Sequence, residues 1–157
     1  MRIITGKYKG RHFEVPRSFK ARPTTDFAKE NIFNVLNQYI DFEGATALDL
    51  FSGTGSITLE LLSRGCSQVV SVEMDRDHHR FICDCLKKLN LSPEVVIPLR
   101  ADAFRFLKSC HQQFDFIFAD PPYALKELPQ IPDLVLGRQA EANSCVPSVA
   151  SDQRSSA

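Results

Sequence analysis

Between residues 45 and 119, short apolar runs alternate with longer amphipathic segments, and this alternation constrains the fold more than any other feature of the chain. Residues 45–50, 68–73, 95–99 and 114–119 are rich in Val, Ile, Leu, Phe and Ala and read as four buried strands. The first intervening helix runs through Ile57, Leu59 and Leu62 to a stop at Gly65. The second carries Ile82, Cys85, Leu86 and Leu89 on one face and leaves His78 and His79 on its surface. A short third helix runs from Ala103 to about Cys110. Strands separated by helices of this length imply right-handed crossovers and a doubly wound, mostly parallel α/β sheet covered on both faces. Pro98 cannot donate to a ladder, which puts the third strand at an edge.

The first 44 residues are organised differently. Two β-rich runs, Arg2 to Thr5 and His12 to Val15, flank a turn bounded by Gly6 and Gly10 and read as a hairpin. A helix follows Pro23, capped by Thr24, Thr25 or Asp26, with Ala28, Ile32, Val35, Leu36, Tyr39 and Ile40 on its apolar face. The net charge is zero, but the first thirty residues hold eight Lys or Arg against three acids. A basic arm on an acidic body suits a polyanion, because each phosphate contact releases a counterion. From Gly137 onward Leu, Ile, Phe and Tyr are absent and Ser recurs, a composition that reads as a disordered tail over residues 137–157.

In a doubly wound sheet the ligand lies beyond the carboxyl ends of the strands, so four positions matter. The first strand runs into Asp49-Leu50-Phe51-Ser52-Gly53-Thr54-Gly55, whose glycines allow a sharp turn and close approach of backbone to ligand. A dinucleotide fingerprint wants a third glycine where Thr58 stands, which weakens a phosphate-binding reading. Glu73 closes the second strand, where a carboxylate can accept from both ribose hydroxyls. Asp102 follows the third, placed to accept from an adenine amine, to cap the next helix, or both. The fourth ends in Asp120-Pro121-Pro122-Tyr123. Two prolines remove donors and fix φ, so this corner presents acceptors suited to an exocyclic amine, beside an aromatic ring on which a base can stack.

These residues resemble the class I S-adenosylmethionine-dependent methyltransferases that act on exocyclic amines. With Arg22-Pro23-Thr24-Thr25-Asp26 and Leu62-Ser63-Arg64-Gly65 added, the set resembles the RsmD family over about residues 1–136. The resemblance implies a Rossmann-like methyltransferase domain and transfer of a methyl group to the N2 amine of a guanine in bacterial 16S ribosomal RNA. It gives Asp49, Phe51, Gly53, Gly55, Glu73 and Asp102 to the cofactor, and Asp120, Pro121, Pro122 and Tyr123 to catalysis. Arg2, Lys7, Lys9 and Arg11 fall on an RNA-contacting arm over residues 1–24, and Arg22 helps shape the pocket. The partner is then ribosomal RNA or an assembling small subunit. A DNA amino-methyltransferase, a nicotinamide dehydrogenase and an inactive RNA-binding remnant are the competing readings.

Several expectations concern setting. The five cysteines form no C-x-x-C pair and the histidines show no ligand spacing, so neither a metal site nor a disulfide framework is expected. No apolar run is long enough for a membrane span, and the amino terminus lacks a signal-peptide core, giving a cytoplasmic location as the expectation; a monomer is expected as well. Members of the family continue beyond the fourth strand through a fifth and a terminal antiparallel pair, whereas 34 residues follow Tyr123 here. The composition change near Gly137 therefore reads as a truncated or frame-altered end that leaves one side of the sheet uncovered.

Overall fold

The computed structural model describes residues 1–122. Four strands, β1 (Thr46–Leu50), β2 (Gln68–Glu73), β3 (Val96–Arg100) and β4 (Phe116–Ala119), form one sheet in the order β3-β2-β1-β4, all paired parallel. The sheet is laid down outward from β1 to β3, and the chain then returns to the other side of β1. The order therefore reverses between β1 and β4, the switch point at which such sheets bind ligands. Register aligns Leu50 with Val72 and Ala119, and Glu73 with Arg100, so all four carboxyl ends open onto one rim. Pro98 lies in β3 at the edge of this sheet, where its missing N–H costs no ladder bond.

Four helices cover the two faces: α1 (Asp26–Leu36), α2 (Ser56–Ser63), α3 (Arg76–Lys88) and α4 (Ala103–Ser109). One core layer joins Ala47, Val69 and Phe116 to Phe33 of α1, Leu59 of α2 and Ile82 of α3; the opposite layer joins Leu48, Leu50 and Val70 to Leu107 of α4. The period of two along each strand sends alternate residues into different layers. Crossovers through α2 and α3 pack on one side and the crossover through α4 on the other, the expected doubly wound arrangement.

The hairpin is present in minimal form: one antiparallel bridge, Arg2 to His12, with Ile3 N donating to Arg11 O (3.0 Å) and Phe13 N to Met1 O (2.8 Å). It lies along α2. Ile4 N and Thr5 N donate to the Glu60 carboxylate (2.8 and 3.1 Å), and Lys7 N and Tyr8 N to the Ser63 carbonyl and hydroxyl (2.8 and 3.0 Å).

Three sequence expectations change. Helix α1, capped by Thr25, buries Lys29, Phe33 and Leu36, while Val35 and Tyr39 face solvent; helix positions four apart share a face, and the real stripe starts from a lysine. Lys29, counted above among the basic residues of the amino terminus, is instead sealed inside: its Nζ donates to Arg2 O (2.6 Å) and Ser56 Oγ (3.0 Å) and pairs with Glu60 (3.5 Å). Burial lowers its pKa against the pull of Glu60. His78 is buried rather than superficial, its Nδ1 3.3 Å from Asp75 and its ring edge-on to Phe19 at 4.7 Å. Everything from Tyr123 onward, including the tail over residues 137–157 and any further strand, lies outside the described residues.

Candidate functional site

A cavity of about 410 Å³ opens at the switch point, lined by the segments that follow all four strands. Its floor is the turn from β1 into α2. Phe51 (φ 57°), Gly53 (φ 56°) and Gly55 (φ 81°) alternate in the left-handed region, which folds the chain back sharply. Phe51 bears that conformation without being glycine, a strain typical of functional turns. A Cβ on Gly55 would come within 2.9 Å of the Ile82 side chain, so this glycine also lets α3 close against the turn.

Three amides of this turn are already engaged. Gly53 N donates to Glu73 Oε1 (2.8 Å), Ser52 N to Val72 O (3.1 Å) and Gly55 N to Ser52 O (2.8 Å). These three N–H groups are therefore held by Glu73, by the Val72 carbonyl of β2 and by the turn's own Ser52 carbonyl rather than offered to a phosphate. Where a dinucleotide fingerprint would have its third glycine, the Thr58 hydroxyl bonds Asp49 Oδ2 (2.7 Å) and Ser71 Oγ (3.1 Å), inside the protein. Both observations count against a nicotinamide dinucleotide.

Asp49 is the unusual group. It is fully buried, and among the described residues its Oδ1 has no hydrogen-bond partner although the residue lines the cavity. Burial raises its pKa to about 7; the Glu73 and Asp120 carboxylates push the same way, and the Thr58 hydrogen bond opposes them. Glu73 is half-buried, with Oε2 accepting from Asp75 N (2.9 Å), so each of its oxygens keeps one further acceptor direction. Asp102 Oδ1 caps α4 through Phe104 N and Arg105 N (2.8 and 3.1 Å), and the residue also borders the cavity. Asp120, Pro121 and Pro122 form the wall beyond β4, while Tyr123 lies outside the described residues.

Four carboxylates thus converge on one cavity, with Arg22 as its only basic lining residue among those described. That field favours a cationic ligand and disfavours a phosphate. Met74, 62% exposed, and Phe104, edge-on to Phe51 at 5.9 Å, add apolar walls. Sequence reasoning missed Thr58 as a partner of Asp49, and Met74 and Phe104 as walls. The local signal available was their position, one to eight residues after a strand end.

The basic residues divide into two groups. Arg22 is at the cavity. Lys7 is bonded through its amide to Ser63, the last residue of α2, whose first residue Ser56 lines the cavity; about 10 Å of helix separates them. Arg11 donates to Lys88 O (3.1 Å) at the same far end of the sheet, and Lys9 sits in the turn between them. Arg2 pairs with Asp26 (3.1 Å) nearer the cavity.

Sequence and architecture are both shared with known proteins. A family model described as "Conserved hypothetical protein 95" matches residues 1–153, past the composition change at Gly137. The "Putative rRNA methyltransferase YlbH" of Bacillus subtilis is 37% identical over 138 residues, covering 86% of this chain and 73% of that protein. The "Ribosomal RNA small subunit methyltransferase D" of Haemophilus influenzae is 37% identical over 125 residues, covering 78% of this chain and 64% of that protein. Among solved structures, the "Putative methyltransferase yhhF from Escherichia coli" superposes with a TM-score of 0.74 at 30% identity, covering 88% of this chain and 72% of that one. The chain thus spans about two thirds of the length of these relatives.

Proposed function

From the premise that this chain belongs to the RsmD family, the Conserved hypothetical protein 95 group, we propose that it is an S-adenosylmethionine-dependent methyltransferase acting on the N2 amine of a guanine in small-subunit ribosomal RNA. The observation that carries this reading is the convergence of four carboxylates, one of them with an orphaned buried oxygen, on a single cavity at the switch point. A ligand with an α-ammonium, a sulfonium and a ribose diol matches that set of acceptors; a pyrophosphate does not. The relatives' names, two of which specify ribosomal RNA, supply the substrate class.

When bound, the cofactor supplies an activated methyl group on a sulfonium. Asp49 Oδ1 accepts from the α-ammonium, relieving the one unmet acceptor of the cavity floor. Glu73 keeps the glycine turn in place through Gly53 N and offers its remaining acceptor directions to the ribose hydroxyls. Asp102, Met74 and Phe104 frame the planar base. Asp120 and the Pro121 carbonyl accept the N–H groups of the target amine. They fix the direction of its lone pair and favour the positive charge that grows on nitrogen, and the carboxylate takes up the departing proton. Arg22 closes the rim. The target guanine reaches this corner only if unstacked, as in a loop or a flipped-out nucleotide.

The test separates chemistry from binding. Asp120→Ala is expected to lower methyl transfer to small-subunit ribosomal RNA about 10²–10³-fold, while calorimetric affinity for S-adenosylmethionine stays within a few-fold. Undiminished turnover of labelled methyl groups by this variant would overturn the assignment.

A further inference from the structure

The turn of the arm and the cavity lie at different levels of the sheet, and a groove on the outer side of α3 runs between those levels. Arg76, Arg80 and Lys87 repeat at intervals of four and seven residues, which puts them on one exposed stripe of the helix. With Arg100 at the end of β3 and His79, they line an open groove of about 600 Å³ in which Asp84 is the only acid among the described residues. None of the four permanent cations is in an ion pair among the described residues. Packing does not require them, since α3 buries His78, Ile82, Cys85 and Leu86 on another side. The chain as a whole has zero net charge, so the groove is a local concentration rather than general basicity.

Its two ends are informative. At the top, Met74 and Ala101, close in sequence to Arg76 and Arg100, belong to the cavity lining. At the bottom, Arg11 of the arm donates to the carbonyl of Lys88, the last residue of α3. About 16 Å of helix lies between Arg76 and Lys87. Asp77 and Asp84 gather along one flank of the stripe, which steers a polyanion toward the β3 side.

We propose that this groove is a phosphate track: it holds the backbone of the RNA whose target base enters the cavity, and connects the arm to the site. The inference rests on the RNA reading given above. It also answers a difficulty of that reading, since a cavity lined by four carboxylates repels phosphates and the backbone must be held elsewhere.

The experiment uses the full chain and transcribed small-subunit ribosomal RNA, with filter binding across a salt series. The double variant Arg80→Glu, Lys87→Glu is expected to bind about tenfold or more weakly at low salt. Its slope of log affinity against log salt should fall by about 1.4, from two lost contacts at roughly 0.7 each on single-stranded RNA. Its KM for RNA should rise while affinity for S-adenosylmethionine is unchanged. The charge-conserving pair Arg80→Lys, Lys87→Arg should match the original chain. If the original chain binds RNA and the charge-reversed variant binds it with equal affinity and slope, the track is wrong and the RNA reading stands. If the original chain binds S-adenosylmethionine but no RNA, both are overturned.

Discussion

Two buried carboxylates meet helix α2, and they live in opposite circumstances. Glu60, on the helix, has both oxygens fully employed: Oε1 takes Ile4 N and pairs with Lys29, and Oε2 takes Thr5 N and Arg64 Nε (2.9 Å). Asp49, on the strand beneath, has one side-chain donor from Thr58 and one oxygen with none among the described residues. Both are essentially inaccessible. The first charge is neutralised where it stands and ties three segments together: the arm, α1 and α2. The second is left wanting a cation at the wall of a cavity. The satisfied acid holds the fold together; the unsatisfied one, because it also lines the cavity, is the acid proposed above to meet a ligand.

Breaking the satisfied member should have the largest effect on stability. Glu60→Ala strands Lys29 in the core and removes the acceptors of Ile4 N and Thr5 N. A loss of about 3–5 kcal/mol is expected, the usual consequence of removing one partner from a buried pair, read as a fall in the urea midpoint. The arm should be released first, seen as hydrogen exchange at Ile4 and Thr5. A variant as stable as the original would mean that the cluster is incidental to the fold.

Asp49→Asn should act with the opposite sign. The carboxyl of Asp49 titrates near 7 in the folded protein against 3.8 for an ordinary aspartate. A raised acid contributes its stabilisation fully below the unfolded pKa and loses it as pH climbs through the folded one. The cost of holding the ionised form is therefore complete only above about pH 7, and on the order of 4 kcal/mol. The amide avoids that cost but brings an NH₂ group in need of partners, offsetting about 1–3 kcal/mol. A net gain of about 1–3 kcal/mol at pH 8 is expected, turning into a net loss of up to about 3 kcal/mol near pH 4, while S-adenosylmethionine affinity drops at least about tenfold. Parallel stability curves for the two proteins across this pH range would contradict the assignment.

The same pair shows what the sequence could and could not disclose. Strand positions and their ends were legible because apolar runs bounded by turn residues are local signals; β2 runs from Gln68 to Glu73, as the sequence reading expected. Glu73, Asp102 and Asp120 followed from those ends, since a doubly wound sheet brings every carboxyl end to one rim. The Lys29–Glu60 pair was not legible: it joins residues 31 positions apart, and pattern reasoning sends both charges to solvent. One clue was present, a lone Glu in an otherwise uncharged helix, Ser56–Ser63, all of whose residues are buried. The exposure of Val35 and burial of Phe33 likewise depend on where Phe42 and Phe116 pack, information no local window holds. Thr58 misled in a useful direction: absent as a glycine, it is present as the donor to Asp49.

That donor gives the finest test of the contrast. Thr58→Val keeps the shape of the side chain and removes the hydroxyl that bonds Asp49 Oδ2 at 2.7 Å and Ser71 Oγ at 3.1 Å. The hydrogen bond lowers the Asp49 pKa, so losing it should move the titration upward, by about one unit or less. Cofactor binding reports this directly. If Asp49 meets the ammonium as proposed, binding selects the ionised carboxylate, affinity rises with pH through the Asp49 pKa, and a proton is released on binding below it. Calorimetry in two buffers of different ionisation enthalpy measures that proton. At pH 7 the valine variant should release more of it than the original chain, and the midpoint of its affinity curve should sit at higher pH; Asp49→Asn should release none from this site. If the valine variant matched the original chain in both quantities, Thr58 would not be tuning Asp49. If all three proteins released the same number of protons, the acid that meets the ammonium would have to be another member of the cavity, and Asp49 would join Glu60 as structure.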